Sequence, residues 1–359
     1  MTTLLDRGPA PVTVPAKSPR RRVTALFALA AGVAAYTGFR LPGEWAATLQ
    51  SVSLTGGFHR RFLVGTLLSP FGPGYRVRAV ASFLVLAAFL TAVAIAFFRG
   101  RTESRRLVVV AWLLLPTGGY LFHEVGYFDQ VLYVLLFAAL WASHRNRPVV
   151  ASALMTLSVA VHEIALLTVL PVFGFALLRM VPFRRACVLL APSAVAGLVL
   201  LALPPAAPGA VDQLRKTLST ADFPYRADAL SLFDRTQAQS WQLYSVTNVL
   251  LYLVPIAILL VGGFLVLHRP TLAAALPAAA IAAPVLLAFA GWDDARWGFL
   301  LVTNFALVLW LCLGGRELSL SRVGVLSALL LVLTHVPMPY FDGCAPRGLT
   351  LVTPVEDAR

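Results

Sequence analysis

The sequence predicts an all-α membrane protein, a single polytopic transmembrane helical bundle. Three observations predict it. Hydrophobic residues make up 59% of the 359-residue chain and charged residues only 13%, with a mean hydropathy of +0.80, more apolar surface than a water-soluble chain can hide. Apolar runs recur from end to end, separated by short arginine clusters. No stretch alternates with the period of a barrel strand, and an open sheet would leave backbone groups unsatisfied in lipid. Disordered, collagen-like and disulfide-stapled classes are excluded by the same composition. The net charge of +13 reads as a topological address, because the basic residues sit in the turns between apolar runs. Membrane lipid is therefore the expected partner, and nucleic acid is not.

Taking the elements in order, residues 1–22 are basic and proline-rich and are expected to be a disordered cytoplasmic segment. Lys17, Arg20, Arg21 and Arg22 precede a first span that reads as an uncleaved signal anchor. Further basic clusters lie at 99–106, 145–147, 179–185, 269 and 316–322. Placing them all in the cytoplasm gives about 11 spans in one domain over 23–340. The spans fall at 23–39, 79–98, 107–122, 130–142, 148–161, 164–178, 186–203, 246–267, 271–291, 298–312 and 323–340. This puts the N-terminus inside, the tail 341–359 outside, and the protein in the inner (cytoplasmic) membrane of a bacterial cell. The pairs within 107–142 and 148–178 are short enough that each could also be one long helix. Two outer loops are long. In 40–78 the apolar stretch 62–68 is too short to cross and reads as an interfacial or re-entrant helix. Loop 204–245 is expected to carry one or two short surface helices. Cys187, Cys312 and Cys344 share no motif spacing.

On this layout only Asp6, Glu103 and Glu317 of the 16 acids face the cytoplasm. The chemistry therefore gathers on the outer face, in four places. Arg60 and Arg61 follow Gly56, Gly57 and His59, and adjacent guanidinium groups clamp a phosphate or diphosphate with two-pronged donors. His123 and Glu124, with Asp129, form one dyad in the turn after the third span. His162 and Glu163, 39 residues further on, form another. An acid beside a histidine in an apolar setting needs a partner, a substrate or a metal. Neither dyad has the HExxH spacing of a metalloprotease. The fourth place is the run 291–297, where Asp293 and Asp294 precede Arg296 between Trp292 and Trp297. The two aspartates could hold a divalent cation, Mg²⁺ or Mn²⁺, or form a salt bridge. His335 and Asp342 are reserve candidates.

Many spans, a short cytoplasmic side and acids with arginines on the outer face resemble the bacterial C-type glycosyltransferases and O-antigen-polymerase-like membrane proteins. Glu44 stands alone where that resemblance leads one to expect an acidic pair in the first outer loop. The long loop with Arg215, Arg226 and Arg235 is similar to the polymerase type. The resemblance implies glycosyl transfer from a polyprenyl-phosphate-linked donor to a glycan acceptor. A carboxylate (Glu163 first, or Glu124 or Asp129) would be the base, and Arg60, Arg61 and Arg296 would neutralise the departing phosphate. A transporter or flippase of a lipid-linked or anionic substrate, or a non-catalytic subunit of an envelope assembly, are the alternatives.

Overall fold

The computed structural model describes residues 19–235, 239, 246–268, 274–291 and 293–335, with side chains from 23 onward. Asp342, Cys344, Trp292, Arg269 and the Asp294 side chain, all singled out by the sequence, lie outside the described residues, as do 1–18 and the tail. Among the described residues every regular element is helical. Four helices are long and apolar enough to cross a membrane: α4 (Tyr75–Phe98), α10 (Phe183–Ala202), α13 (Val246–Leu267) and the greater part of α15 (Asp294–Leu313). A fifth is obtained if α5 (Glu103–Leu114) and α6 (Pro116–His123), bent by 59° at their junction, count as one span. Shorter apolar helices are α1 (Pro19–Gly38), α7 (Phe128–His144), α8 (Pro148–Val161), α9 (Val169–Leu178), α14 (Ala275–Ala282) and α16 (Leu320–Leu333). Each apolar run read from the sequence thus holds a helix. The surface segments carry α2 (Glu44–Leu49), α3 (Phe62–Leu68), α11 (Ala210–Leu218) and α12 (Ala227–Leu230).

Local chemistry explains where the helices stop. Pro116 holds Leu115 in an extended conformation with ψ 163° and starts α6 at its first turn, which makes the bend. His162, extended at φ −161°, ends α8, and a 3₁₀ turn over Glu163–Leu166 leads into α9. Pro284 lies just beyond α14 and has no N–H to offer the Ala280 carbonyl four residues earlier. The α1–α6 crossing is close because Gly38 meets the Gly119 backbone, where a Cβ would sit 1.8 Å from the Gly119 oxygen.

Helices α7, α8 and α10 pack side by side, and α5, α9, α14 and α15 meet in the core. There Asn304 is fully buried and ties backbone of two other helices together. Its Nδ2 donates to the carbonyls of Thr168 (3.0 Å) and Ala280 (3.1 Å), and its Oδ1 accepts from the Tyr133 hydroxyl at 3.1 Å. Irregular backbone in an apolar bundle needs such a partner. Asn304→Leu, which fills the space without the amide, is expected to lower stability by roughly 2–3 kcal/mol, because buried polar groups are left unpaired. Thermal unfolding in detergent reads this, and an unchanged midpoint would show that the carbonyls find other donors.

The bundle has two chemically different ends. At one, Arg99–Arg106, Arg179 and Arg316–Glu317 come together around the α15–α16 turn. At the other, the segments 40–74 and 204–235 interlock. Tyr75 N donates to Asp222 Oδ1 at 2.6 Å, Arg226 N donates to Thr48 Oγ1 at 3.0 Å, and Ala207 N donates to the Phe58 carbonyl at 2.8 Å.

Candidate functional site

At this second end the chain breaks in four places, and each break carries an ionisable residue named by the sequence. Arg61 precedes α3 in the left-handed region, φ 66°, an unusual conformation for a residue with a side chain. Glu163 opens the 3₁₀ turn after α8, and Arg61 grips it with both prongs. Nη2 lies 2.7 Å from Oε1, and Nε lies 3.1 and 3.3 Å from Oε1 and Oε2. His162 is buried beside the pair. Its Nδ1 accepts from Ile164 N at 3.3 Å and lies 3.1 Å from Glu163 Oε2.

A second ion pair stands next to the first. Arg296, in the first turn of α15, holds Asp129 in the first turn of α7, with Nε 2.6 Å from Oδ2 and Nη2 2.7 Å from Oδ1. The Tyr127 ring lies 5.7 Å from the Arg296 guanidinium. Both Arg61 and Arg296 are within electrostatic range of His162. A small cleft reaches these groups, lined by Leu49, Gly126, Tyr127, Phe128, His162 and Arg296.

The third unit is the first dyad. His123 ends α6, and its Nδ1 lies 2.6 Å from Glu124 Oε1, both side chains being at most 10% exposed. Its other ring nitrogen, Nε2, is buried with no hydrogen-bond partner among the described residues. The Tyr120 ring stacks alongside at 6.3 Å. Two carboxamides hold the turn that carries this dyad. Gln130 Nε2 donates to the Leu121 and Glu124 carbonyls at 2.7 and 3.2 Å. From the other side Gln50 Nε2 donates to the Gly126 carbonyl at 2.7 Å. Gly126 is required there: its φ is +94°, and a Cβ would meet Ser82 Oγ at 2.7 Å and Gln50 Nε2 at 2.9 Å.

Asp293 completes the cluster as the N-cap of α15, accepting from Arg296 N at 3.4 Å. Burial pushes its carboxyl up to about 6. Arg296 opposes that shift, and the nearby charges of Glu124 and Asp129 add to it. Among the described residues no three His, Cys, Asp or Glu side chains group as a metal site.

The structure therefore brings together Arg61, His123, Glu124, Asp129, His162, Glu163, Asp293 and Arg296. It does not bring Arg60 there. The Arg60 Nη2 donates to the Leu201 and Leu203 carbonyls (3.2 and 2.5 Å), and so closes the C-terminal end of α10, where a cation is favoured. His335 is exposed and donates to or accepts from groups of its own turn only, among the partners described. Sequence reading passed over Gln50, Gln130, Tyr120 and Asn304. For Gln50, Gln130 and Tyr120 the signal was present as polar residues at or near the edges of apolar runs, but a search for charge does not weigh them. Comparison of the chain with protein-family models, with curated proteins and with solved structures finds no match.

Proposed function

We propose that the protein is a membrane glycosyltransferase or glycan polymerase that takes a sugar from a polyprenyl phosphate at the extracytoplasmic face of the inner membrane. In this reading the chain crosses about 11 times, with the arginine-rich end inside and the acid-rich end outside. The observation that carries it is the gathering of two guanidinium–carboxylate pairs and a histidine–glutamate dyad at one end of the bundle. A lipid-linked sugar presents its headgroup at that level while its tail remains in the membrane.

The transfer makes a bond between an acceptor hydroxyl oxygen and the anomeric carbon and breaks the bond from that carbon to the phosphate oxygen. The hydroxyl proton needs a base. Glu163 and Asp129 each have both oxygens engaged by a guanidinium, which occupies the atoms that would take the proton and fixes both as anchors for sugar hydroxyls. His123 has a ring nitrogen without a partner among the described residues and a carboxylate on the other nitrogen to orient it. That is the arrangement of an oriented general base. Arg61 and Arg296 use Nε and Nη2 for their carboxylates, leaving Nη1 of each for the departing phosphate oxygens.

A transporter or flippase of the same lipid-linked substrate is the second reading. It is favoured by ionisable groups placed at the breaks of discontinuous helices. One experiment separates the two. In cells lacking the protein, polyprenyl-linked glycan is expected to accumulate in the outer leaflet, open to a glycosidase added to spheroplasts. Accumulation sealed inside would favour the transporter, and an unchanged lipid-linked pool would overturn both.

A further inference from the structure

Residues 58–61 join the two outer segments, and of these residues the site above uses only Arg61. His59 pairs antiparallel with Ala206. Ala207 N donates to the Phe58 carbonyl at 2.8 Å and Arg60 N donates to the Pro205 carbonyl at 2.7 Å, so backbone bonds close a short two-stranded tie on either side of that pair. The His59 ring seals the tie. It is 1% exposed, its Nδ1 lies 3.1 Å from the Gly57 carbonyl oxygen, and it stands edge-on to Phe233 at 5.6 Å. The Arg60 side chain runs along the end of α10, where Nη2 donates to the Leu201 and Leu203 carbonyls at 3.2 and 2.5 Å. This one residue therefore makes three bonds to residues 201–205. Its Nε is buried with no partner among the described residues, a cost that a freely moving arginine would avoid by turning to water.

The chain beyond Arg61 is anchored as firmly. Helix α3 begins at Phe62, and its Gly65 lies against residues 50–52, where a Cβ would come within 2.0 Å of the Val52 oxygen. Thr66 Oγ1 accepts from Leu54 N at 3.0 Å. The chain has one residue in which to pass from the tie into the helix. That residue is Arg61, at φ 66° and ψ 20°. A side-chain-bearing residue is disfavoured there and persists only where its surroundings over-determine it. From this backbone Arg61 reaches Glu163, 102 positions away, with Nη2 at 2.7 Å and Nε at 3.1 Å.

We propose that Arg60 is a positioning residue for the site. Bound to the end of α10, it holds the tie between 58–60 and 205–207 and so keeps Arg61 in the left-handed conformation that delivers its guanidinium to Glu163. Arg60 itself touches no reacting group. The second outer segment thereby enters the geometry of the site, because a shift of residues 203–207 is passed along the backbone to Arg61. The effect of Arg60 on turnover rests on the glycosyl-transfer reading above, in which Arg61 meets the departing phosphate.

The test is a stability cycle on the full chain in detergent, read as thermal midpoints. Arg61→Lys keeps the charge, loses the two-pronged grip on Glu163, and is expected to lower the midpoint. In an Arg60→Gln background that grip is already loosened, so adding Arg61→Lys is expected to shift the midpoint by at most about half as much. Arg60→Lys retains a cation for the α10 carbonyls, and in that background Arg61→Lys should show most of its original effect. Arg60→Met, which keeps an apolar stem and removes every donor, runs the same cycle should the glutamine variant not fold. Equal shifts from Arg61→Lys in every background would overturn the proposal and leave Arg60 as a cap on α10. Turnover of polyprenyl-linked glycan gives the second readout. Arg60→Gln is expected to lower kcat by roughly 10–100-fold, with no further loss on adding Arg61→Lys and with most of the rate restored in Arg60→Lys. Full turnover by folded Arg60→Gln would overturn the positioning role. A wild-type protein that transfers no sugar would overturn the transferase reading instead, and the midpoints would still decide on Arg60.

Discussion

His123→Gln and Glu124→Gln are each expected to lower glycosyl transfer by roughly 10²–10⁴-fold while the protein still inserts and purifies as wild type. Glutamine at 123 keeps much of the volume and polarity but has no ring nitrogen to take a proton. Glutamine at 124 keeps the shape and loses the charge that orients the ring, whose Nδ1 lies 2.6 Å from the carboxylate. The loss should appear in kcat with KM little changed, since neither change removes a phosphate contact. Turnover of purified protein on extracted polyprenyl-linked glycan measures it. From the sequence alone Glu163 is the first choice for this role. In the structure its oxygens are held by Arg61, so Glu163→Gln is expected to reduce the yield of folded protein before it reduces kcat. If instead Glu163→Gln is folded and inactive while both dyad variants turn over normally, the base is Glu163 and the role given to His123 is wrong.

Removing one partner of the Arg296–Asp129 pair is expected to destabilise the fold by roughly 3–5 kcal/mol, because the remaining charge is then buried without its counterion. The side chains are 13% and 4% exposed, so water compensates little. Arg296→Met and Asp129→Leu, each made alone, should unfold early in detergent. The double replacement Asp129→Leu with Arg296→Met should recover most of the loss, since an apolar pair of similar volume requires no desolvation of charge. Thermal midpoints of the four proteins form a double-mutant cycle that isolates the pair. Single variants as stable as wild type would mean that the end of the bundle is hydrated and the pair contributes little. The double variant, though stable, should not transfer sugar.

How much of this was open to sequence reading follows from the physics of each element. The apolar runs were legible because lipid imposes composition directly. A run such as 79–98 or 186–203 has few soluble alternatives, and a helix long enough to cross a membrane covers most of each. The basic turns were legible for a related reason, since arginine clusters between apolar runs follow from the cost of moving charge across a membrane. The short helix at 62–68 in the first long loop was legible from its length. That His123, Glu124, His162, Glu163, Asp293 and Arg296 would need partners was legible because charge beside an apolar run is expensive unless paired.

Partner choice was a different matter. Arg60 and Arg61 are adjacent and chemically identical in the sequence, and both read as phosphate clamps. The backbone separates them: a left-handed φ at Arg61 accompanies a side chain that meets Glu163, while Arg60 reaches the end of α10. Asn304 likewise carries no signal in a run of apolar residues. Its role exists only because packing brings it to the carbonyls of Thr168 and Ala280, far away in the chain.

The chain by itself determined an all-helical, lipid-compatible architecture, the spacing of its turns and the residues that carry charge at them, because hydrophobicity and charge act through local composition. Tertiary structure alone decided that Arg61 pairs with Glu163 and Arg296 with Asp129, that His123 is left with a nitrogen unpartnered among the described residues, and that Arg105 lies on Trp310. Those outcomes depend on contacts with a reach of about 3 Å between residues as much as 205 positions apart in the chain. Only the packed helices bring such residues within that reach.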